Sequence, residues 1–227
     1  MTGQDRPIKD IIYMARTIEA SGKAGATPSR ADAEAVVSSI IGPADREFAG
    51  RYGCNYWNYL KALLSDYVAA RELGDRFVVK GAPFNWHSSV GLKCGAVILR
   101  KDFFRGDRRV EPELYVEAGL LNLQNGTLPG LACGFHYLLS PEGDRSGFVQ
   151  GVLIDDGLKG MAWKLSNDGF VNPSFAARGA LGFWSAEAAL YRSWDESSLP
   201  TDLRGQVFEA FDELLPLYRG ITSLNVQ

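Results

Sequence analysis

Histidine is scarce in this chain, and its scarcity limits the metal chemistry open to the protein. The two histidines, His87 and His136, are far apart, and neither is followed within five residues by another His, Cys, Asp or Glu. Zinc sites usually draw ligands from short motifs of that kind. A zinc site here would have to recruit Glu113 or Glu117 through folding alone. We therefore expect no bound metal and no cofactor.

Cysteine is equally rare and shows no paired spacing. Cys54, Cys94 and Cys133 are an odd number without a C-x-x-C motif, and the last two lie in apolar runs typical of strands. A reduced cysteine in such a run behaves as a small hydrophobic residue. The sequence also shows no hydrophobic signal segment and no run of 18 apolar residues. These absences predict a reduced, cytoplasmic protein without a membrane partner.

The motifs of several common catalytic mechanisms are missing too. The sequence has no G-x-x-x-x-G-K-[ST] or strand–helix G-x-G-x-x-G loop, no G-x-S-x-G elbow, and no (D/E)-x-K element of a PD-(D/E)XK nuclease. Ser88 and Ser89 adjoin His87, but neighbours along an extended chain point to opposite faces. Glu113 and Glu117 would be about 13 Å apart on a strand, which is too far for a retaining carboxylate pair.

The catalytic candidates that remain are His87, His136, Glu113 and Glu117. They form a site only if folding brings them together. A hydrolase or nuclease built on these residues is therefore kept as an alternative function.

The chain as a whole has no basic charge that would attract a polyanion. Its 24 Lys and Arg are outnumbered by 27 Asp and Glu, which gives a net charge of -3 and a pI near 5.5. Nucleic-acid binding would need a local basic patch. Hydrophobic residues make up 46% of the sequence and charged residues 22%, as in ordinary globular proteins. The length suits one domain over 1–227, with a helical part at 1–74, a strand-rich core at 75–184 and C-terminal helices at 185–227.

The hydrophobic pattern changes from a helical to a strand period near Gly74. Helices are predicted over 8–20, 30–41 and 55–73, with Gly74 as the residue that stops the third. Strands are predicted over 76–80, 94–100, 113–118, 131–139, 147–154 and 160–165, with turns at Asn125-Gly126, Pro141–Asp144 and Asp155–Gly157. Ser185 and Asp202 are predicted to cap helices over 185–192 and from 202 onwards, and Pro216 to kink or end the latter.

The order of these elements predicts an α+β fold. N-terminal helices precede a mainly antiparallel sheet of five to seven strands, because the connections are too short for crossover helices. A C-terminal helix closes the chain. On the strand 113–118, Glu113, Tyr115 and Glu117 are predicted to face one way, and Leu114, Val116 and Ala118 the other.

A polar and aromatic stretch, Gly81–Ser89, is predicted to be a loop between two strands. Pro83 favours an extended conformation at the residue before it, so the chain should leave the first strand as a projecting loop. Phe84, Asn85, Trp86 and His87 are the candidate ligand-binding residues of this loop. One aromatic ring is expected to anchor the loop and the other to stack on a ligand.

A short basic run supplies the charge that the whole chain lacks. Lys101, Arg105, Arg108 and Arg109 follow Arg100 within a few residues. Stacking aromatics combined with phosphate-binding cations are the groups that nucleic-acid-binding sites use. In the alternative interpretation the aromatic residues pack the sheet and Arg105–Arg109 is a solvated hairpin tip, and both interpretations stay open.

Three segments near the C-terminus follow a recognisable order. Ala186–Tyr191 is rich in small residues, Ser198-Leu199-Pro200 follows it, and a helix ends in Asp212–Tyr218. This order resembles the end of the McrB-type N-terminal DNA-recognition domain of modification-dependent restriction systems. The resemblance implies a module that reads modified DNA by flipping a base into an aromatic pocket. It implies no catalytic residues, because that domain is a reader and its nuclease is separate.

The sequence therefore favours a nucleic-acid-binding module of a defence or restriction system. The first alternative is the hydrolase or nuclease described above. The second is a protein-binding, immunity-type partner, which the acidic pI favours.

Overall fold

The computed structural model describes residues 6–21, 56–85, 92–101, 112–123, 126–138, 155–171 and 187–223. In these ranges the chain forms four helices and five strands. The helices are α1 (Arg6–Ser21), α2 (Tyr56–Ala70), α3 (Asp156–Asn167) and α4 (Leu203–Ser223), and the strands are β1 (Phe77–Asn85), β2 (Leu92–Arg100), β3 (Pro112–Leu123), β4 (Gly126–Leu138) and β5 (Glu187–Asp195). The predicted helix at 30–41 and the predicted strand at 147–154 lie outside the described residues.

The five strands form one antiparallel sheet in the order β1-β2-β3-β4-β5. Each strand pairs with the next one along the chain; short connections join β1 to β2, β2 to β3 and β3 to β4, whereas α3 lies within the long connection between β4 and β5. β3 and β4 form a tight hairpin in which Leu123 pairs with Gly126, where Asn125-Gly126 predicts a turn. With helices before and after the sheet, the α+β prediction is confirmed.

One face of the sheet packs against α1, α2 and α4 and forms the main hydrophobic core. Leu114, Val116 and Ala118 of β3 point to this side and are fully buried, as their alternation predicts. The predicted apolar stripe of α1 is buried with them: Ile8, Ile11, Ile12, Ala15 and Ile18. The apolar faces of α1 and β3 are buried against each other, so the helices form one layer and the sheet forms the other.

The predicted strand at 160–165 is wrong, because this segment belongs to α3. Leu158, Ala162 and Leu165 are its buried residues, and their spacing of four and three matches a helix turn. The side chain of Asp155 accepts a hydrogen bond of 2.9 Å from the amide of Leu158 and caps the helix. Asp155–Gly157, which was predicted to be a turn, therefore starts a helix.

The predicted helix at 185–192 is also wrong, because Glu187–Asp195 forms β5. Its alanines favour a helix locally, but antiparallel pairing with β4 places Leu190 opposite Phe135. Leu190 is buried in the main core while Tyr191 is buried in a second cluster. Adjacent residues that bury on opposite faces require a strand, so tertiary packing overrides helix propensity here.

The ends of α2 and α4 differ from the predicted ones in detail. α2 ends at Ala70. The residue with positive φ that terminates the helix is Glu72 (φ 52°) and not Gly74. Asp202 caps α4 as predicted, accepting a hydrogen bond of 2.9 Å from the amide of Gly205. α4 continues past Pro216 to Ser223, so Pro216 does not end it. Pro216 is exposed, and so is Asp212, whose backbone carbonyl lacks its usual donor at Pro216.

The exposed residues Arg71 and Asp212 and the buried Tyr67 join the C-terminal end of α2 to α4. Arg71 donates to both carboxylate oxygens of Asp212, from Nε at 2.8 Å and from Nη2 at 2.5 Å. The Tyr67 hydroxyl donates to Oδ1 of Asp212 at 3.1 Å. The Arg71 hydrogen bond holds the pKa of Asp212 below its ordinary value of 3.8, against the opposing effect of partial burial.

We expect Asp212→Asn to lower the melting temperature near neutral pH by at most about 3 °C, because the exposed pair is screened by solvent. Since the folded-state pKa of Asp212 is depressed, its carboxylate stabilises the fold above pH 3.8, and this contribution is lost as the pH falls through the folded pKa. Thermal denaturation of variant and wild type should therefore converge below about pH 4. Asp66→Asn is the control, because Asp66 of α2 forms an ion pair with Arg204 of α4 through one contact of 3.0 Å. It should lower the melting temperature less than Asp212→Asn does. A difference in melting temperature between Asp212→Asn and the wild type that stayed constant on acidification would contradict the stabilising role of the Asp212 carboxylate.

Candidate functional site

The outward face of the sheet, turned away from α1, α2 and α4, carries both polar and apolar residues. Tyr115, Leu121, Ala132 and Tyr191 form a small buried cluster there, with Val97 packed against it. Two of the catalytic candidates lie on β3 beside this cluster, because they alternate with the core residues of the strand as predicted. The outward face therefore carries the carboxylates of Glu113 and Glu117.

Glu117 forms an ion pair with Lys93 on this face. The Nζ of Lys93 lies 2.6 Å from Oε2 of Glu117, and the side chains are 26% and 28% exposed. Glu117 pairs in register with Gly95, where a Cβ would lie 3.1 Å from the Cγ of Glu117. Glycine at this position leaves the room that the Glu117 side chain uses to cross towards β2. The carboxylate of Glu117 is thus engaged in a link between two strands.

Glu113 and His136 occupy directly paired positions on β3 and β4. Paired residues of antiparallel strands have Cβ atoms about 5 Å apart. The fold therefore brings together two of the four catalytic candidates, and their distance in sequence gave no indication of this. Glu117 is four residues further along β3, about 13 Å by strand rise. His87 lies outside the described residues.

The predicted loop at Gly81–Ser89 is wrong in its first half, because β1 continues to Asn85. Asn85 pairs with Lys93, and the register with β2 shifts between Ala82 and Asn85. Pro83 lies within this irregular stretch, where its missing N–H removes no regular ladder bond. Phe84 and Asn85 are therefore strand residues, while Trp86 and His87 lie outside the described part of the chain.

Three basic residues lie where β1 begins and β2 ends, and we call Arg76, Arg100 and Lys101 the basic corner. Lys101 lies beside Arg76, whereas Arg100 pairs with the core residue Phe77 and is on the face of the sheet that packs against the helices. Arg100 pairs in register with Phe77, and the amide of Lys101 donates to the carbonyl of Arg76 at 2.9 Å. The Lys101 ammonium donates to the carbonyl of Gly74 at 2.5 Å. The other predicted phosphate-binding residues, Arg105, Arg108 and Arg109, follow β2 and lie outside the described residues.

Arg76 is the member of the basic corner that the sequence reasoning missed. Its side chain is exposed, and among the described residues no carboxylate forms an ion pair with its guanidinium. The predicted hairpin does indicate Arg76. If the predicted strand that begins at Arg76 pairs antiparallel with the strand that ends at Arg100, the first residue of one strand lies next to the last residue of the other. Asp75 is an exposed acidic neighbour in the same turn, and Lys80 is an exposed cation further along β1.

The described ranges show neither a metal cluster nor a membrane span. No three His, Cys, Asp or Glu side chains lie close enough there to hold a metal ion. None of the four helices in those ranges has both the length and the hydropathy needed to cross a membrane. Comparison of the chain with models of protein families, with curated proteins and with solved structures finds no match.

Proposed function

We propose that this protein binds nucleic acid and that the positive charge of the basic corner attracts its phosphates, with Arg76 in direct contact. The observation that carries the proposal is the pairing of β1 with β2, which adds Arg76 to Arg100 and Lys101. The chain then enters a stretch with three more arginines within ten residues of Arg100. A concentrated positive field in an otherwise acidic protein attracts a polyanion to that part of the surface.

The length of β1 suggests how a nucleic acid would lie. Phe84, a candidate stacking residue, is seven positions along β1 from Phe77, which follows Arg76. Seven steps of strand rise span about 23 Å. Since one strand of DNA carries a phosphate about every 3.4 Å, a ligand of about seven nucleotides would reach from the basic corner to the aromatic end of β1. Lys80 lies between the two ends and is exposed.

The C-terminal resemblance directs the choice of ligand. The segments that carry it form β5, the Leu199-Pro200 connection and α4, in that order. This supports testing duplex DNA with modified bases first and a restriction or defence system as the setting in which the protein acts.

The proposal is tested by fluorescence anisotropy with labelled duplexes of about 20 base pairs, unmodified or carrying modified bases, over a range of salt concentrations. Binding that weakens linearly on a logarithmic salt scale is expected, because phosphate contacts release counterions. A duplex of about five base pairs should bind more weakly, since it cannot reach both ends of β1. No binding to any duplex or single strand at low salt would overturn the proposal.

Arg76→Ser is expected to weaken binding severalfold for all sequences and to reduce the salt slope by about one, because it removes one phosphate contact. Asp75→Asn should have the opposite effect on affinity, since it removes a repulsive charge from the same turn. Lys164→Ser is the control: its side chain is 79% exposed on α3. The assignment of Arg76 is wrong if all three variants bind DNA as the wild type does.

A second candidate function, hydrolysis of the bound ligand, is favoured by the paired positions of Glu113 and His136. A carboxylate and an imidazole on neighbouring strands can divide the roles of general base and acid. Incubating the same duplexes with Mg²⁺ and analysing strand length tests this candidate. Intact DNA after complete binding would leave the protein as a binding module.

A further inference from the structure

We infer that Lys101 acts as a positioning residue that holds the 71–76 turn, so that Arg76 faces the ligand. This inference rests on the proposed nucleic-acid binding. It assigns Lys101 a different role from direct phosphate contact, which is the role that its place in the basic run suggests.

The 71–76 turn is built by a chain of backbone hydrogen bonds at the end of α2. The amide of Leu73 donates to the carbonyl of Val68 at 2.9 Å, and the amide of Glu72 donates to that of Ala69 at 3.1 Å. With Glu72 at positive φ, these bonds form the Schellman arrangement that closes a helix. The amide of Arg76 then donates to the carbonyl of Leu73 at 3.1 Å, which leads the chain into β1. Leu73 is buried and anchors the start of the turn.

Beyond Leu73 the turn is exposed, and Lys101 contacts it at two points. The amide of Lys101 donates to the Arg76 carbonyl at 2.9 Å, and its ammonium donates to the Gly74 carbonyl at 2.5 Å. These two bonds lie on either side of Asp75. Hydrogen bonds from a charged donor are stronger than those between neutral groups. Lys101 therefore fixes the backbone segment from which the Arg76 side chain projects.

Arg76 depends on its backbone for its direction, because no ion pair with a described carboxylate holds its guanidinium. A long side chain that projects from a loose turn loses conformational entropy when it binds a phosphate. Because Lys101 holds the turn in place, the Arg76 side chain loses less conformational entropy when it binds a phosphate. Removing the Lys101 ammonium should thus weaken binding through Arg76.

The test is a double-mutant cycle on DNA binding with Lys101→Met, Arg76→Ser and the double variant. We expect Lys101→Met to weaken binding about as much as Arg76→Ser, and the double variant to match Arg76→Ser within about twofold. Lys101→Arg keeps a long cationic donor and should restore most of the affinity. If Lys101 contacts a phosphate itself, the two losses add and the salt slope of the double variant falls by about two. That result would overturn the inference and leave the proposed function standing.

Amide hydrogen exchange of free protein gives a readout that does not depend on DNA. In Lys101→Met, the amides of Arg76 and Phe77, which donate to the carbonyl of Leu73, should exchange faster than in the wild type. Amides within β3 serve as the control and should not change. Unchanged exchange at Arg76 would overturn the inference. A wild type that bound no nucleic acid would overturn the proposed function, and the role of Lys101 in binding with it.

Discussion

Phe211→Ala is expected to lower the free energy of unfolding by about 3–5 kcal/mol. Phe211 is fully buried on α4, where this helix meets α2 and the sheet. Its ring centroid lies 5.3 Å from that of Tyr67 on α2. Alanine would remove this aromatic contact together with the burial of the ring, and it would leave a cavity that rigid strands cannot close.

Phe208→Ala is the matched control for this prediction, because it removes the same ring three residues earlier on the same helix. Phe208 is only partly buried, and the guanidinium of Arg204 lies over its ring at 5.0 Å. We expect a smaller loss, since less apolar surface and no closed cavity are involved. Urea denaturation of the two variants measures the difference. Equal losses would mean that α4 does not pack as described.

The sequence is most informative where a long segment has one dominant period. The stripe of α1 repeats over three turns and predicts both the helix and its buried face. The alternation at 113–118 predicts the two faces of β3 in the same way. Such patterns come from burial on one side, and burial is the main determinant of the fold.

Short segments with mixed signals are where the sequence misleads. The segment 160–165 is apolar enough for a strand, and only the cap at Asp155 and the buried Leu158 place it in a helix that starts earlier. The segment 187–195 has helix-favouring alanines, and pairing with β4 decides its conformation. In both cases the deciding contacts lie outside the segment itself, so a local reading cannot find them.

The candidate site shows the same limit. The basic run after Arg100 can be found in the sequence, but Arg76 joins it only through the register of β1 with β2. Glu113 and His136 likewise become neighbours through the register of β3 with β4. Strand register depends on the hydrophobic faces and turns of the whole sheet. Residue types can therefore be proposed from the sequence, whereas their grouping requires the fold.

β4 and β5 approach each other closely at Gly134, and this contact gives the second large expected effect. Gly134 pairs with Tyr115 on one side and Tyr191 on the other. A Cβ at position 134 would lie 2.5 Å from the carbonyl oxygen of Leu190 and 2.8 Å from the Cβ of Tyr191. Contacts this short with backbone cannot be relieved by rotating a side chain. β5 would have to move away from β4.

Gly134→Ala is therefore expected to lower the free energy of unfolding by about 1–3 kcal/mol or more, as overpacking does in a rigid interior. Gly160→Ala is the matched control, because no atom lies within 4 Å of a Cβ built there and the residue is inside α3. Alanine at this helical position should raise the stability by about 0.5–1 kcal/mol. Chemical denaturation of both variants thus tests the same Gly→Ala substitution at two positions, with a loss of stability expected at position 134 and a gain at position 160. A Gly134→Ala protein as stable as the wild type would show that β4 and β5 do not approach this closely.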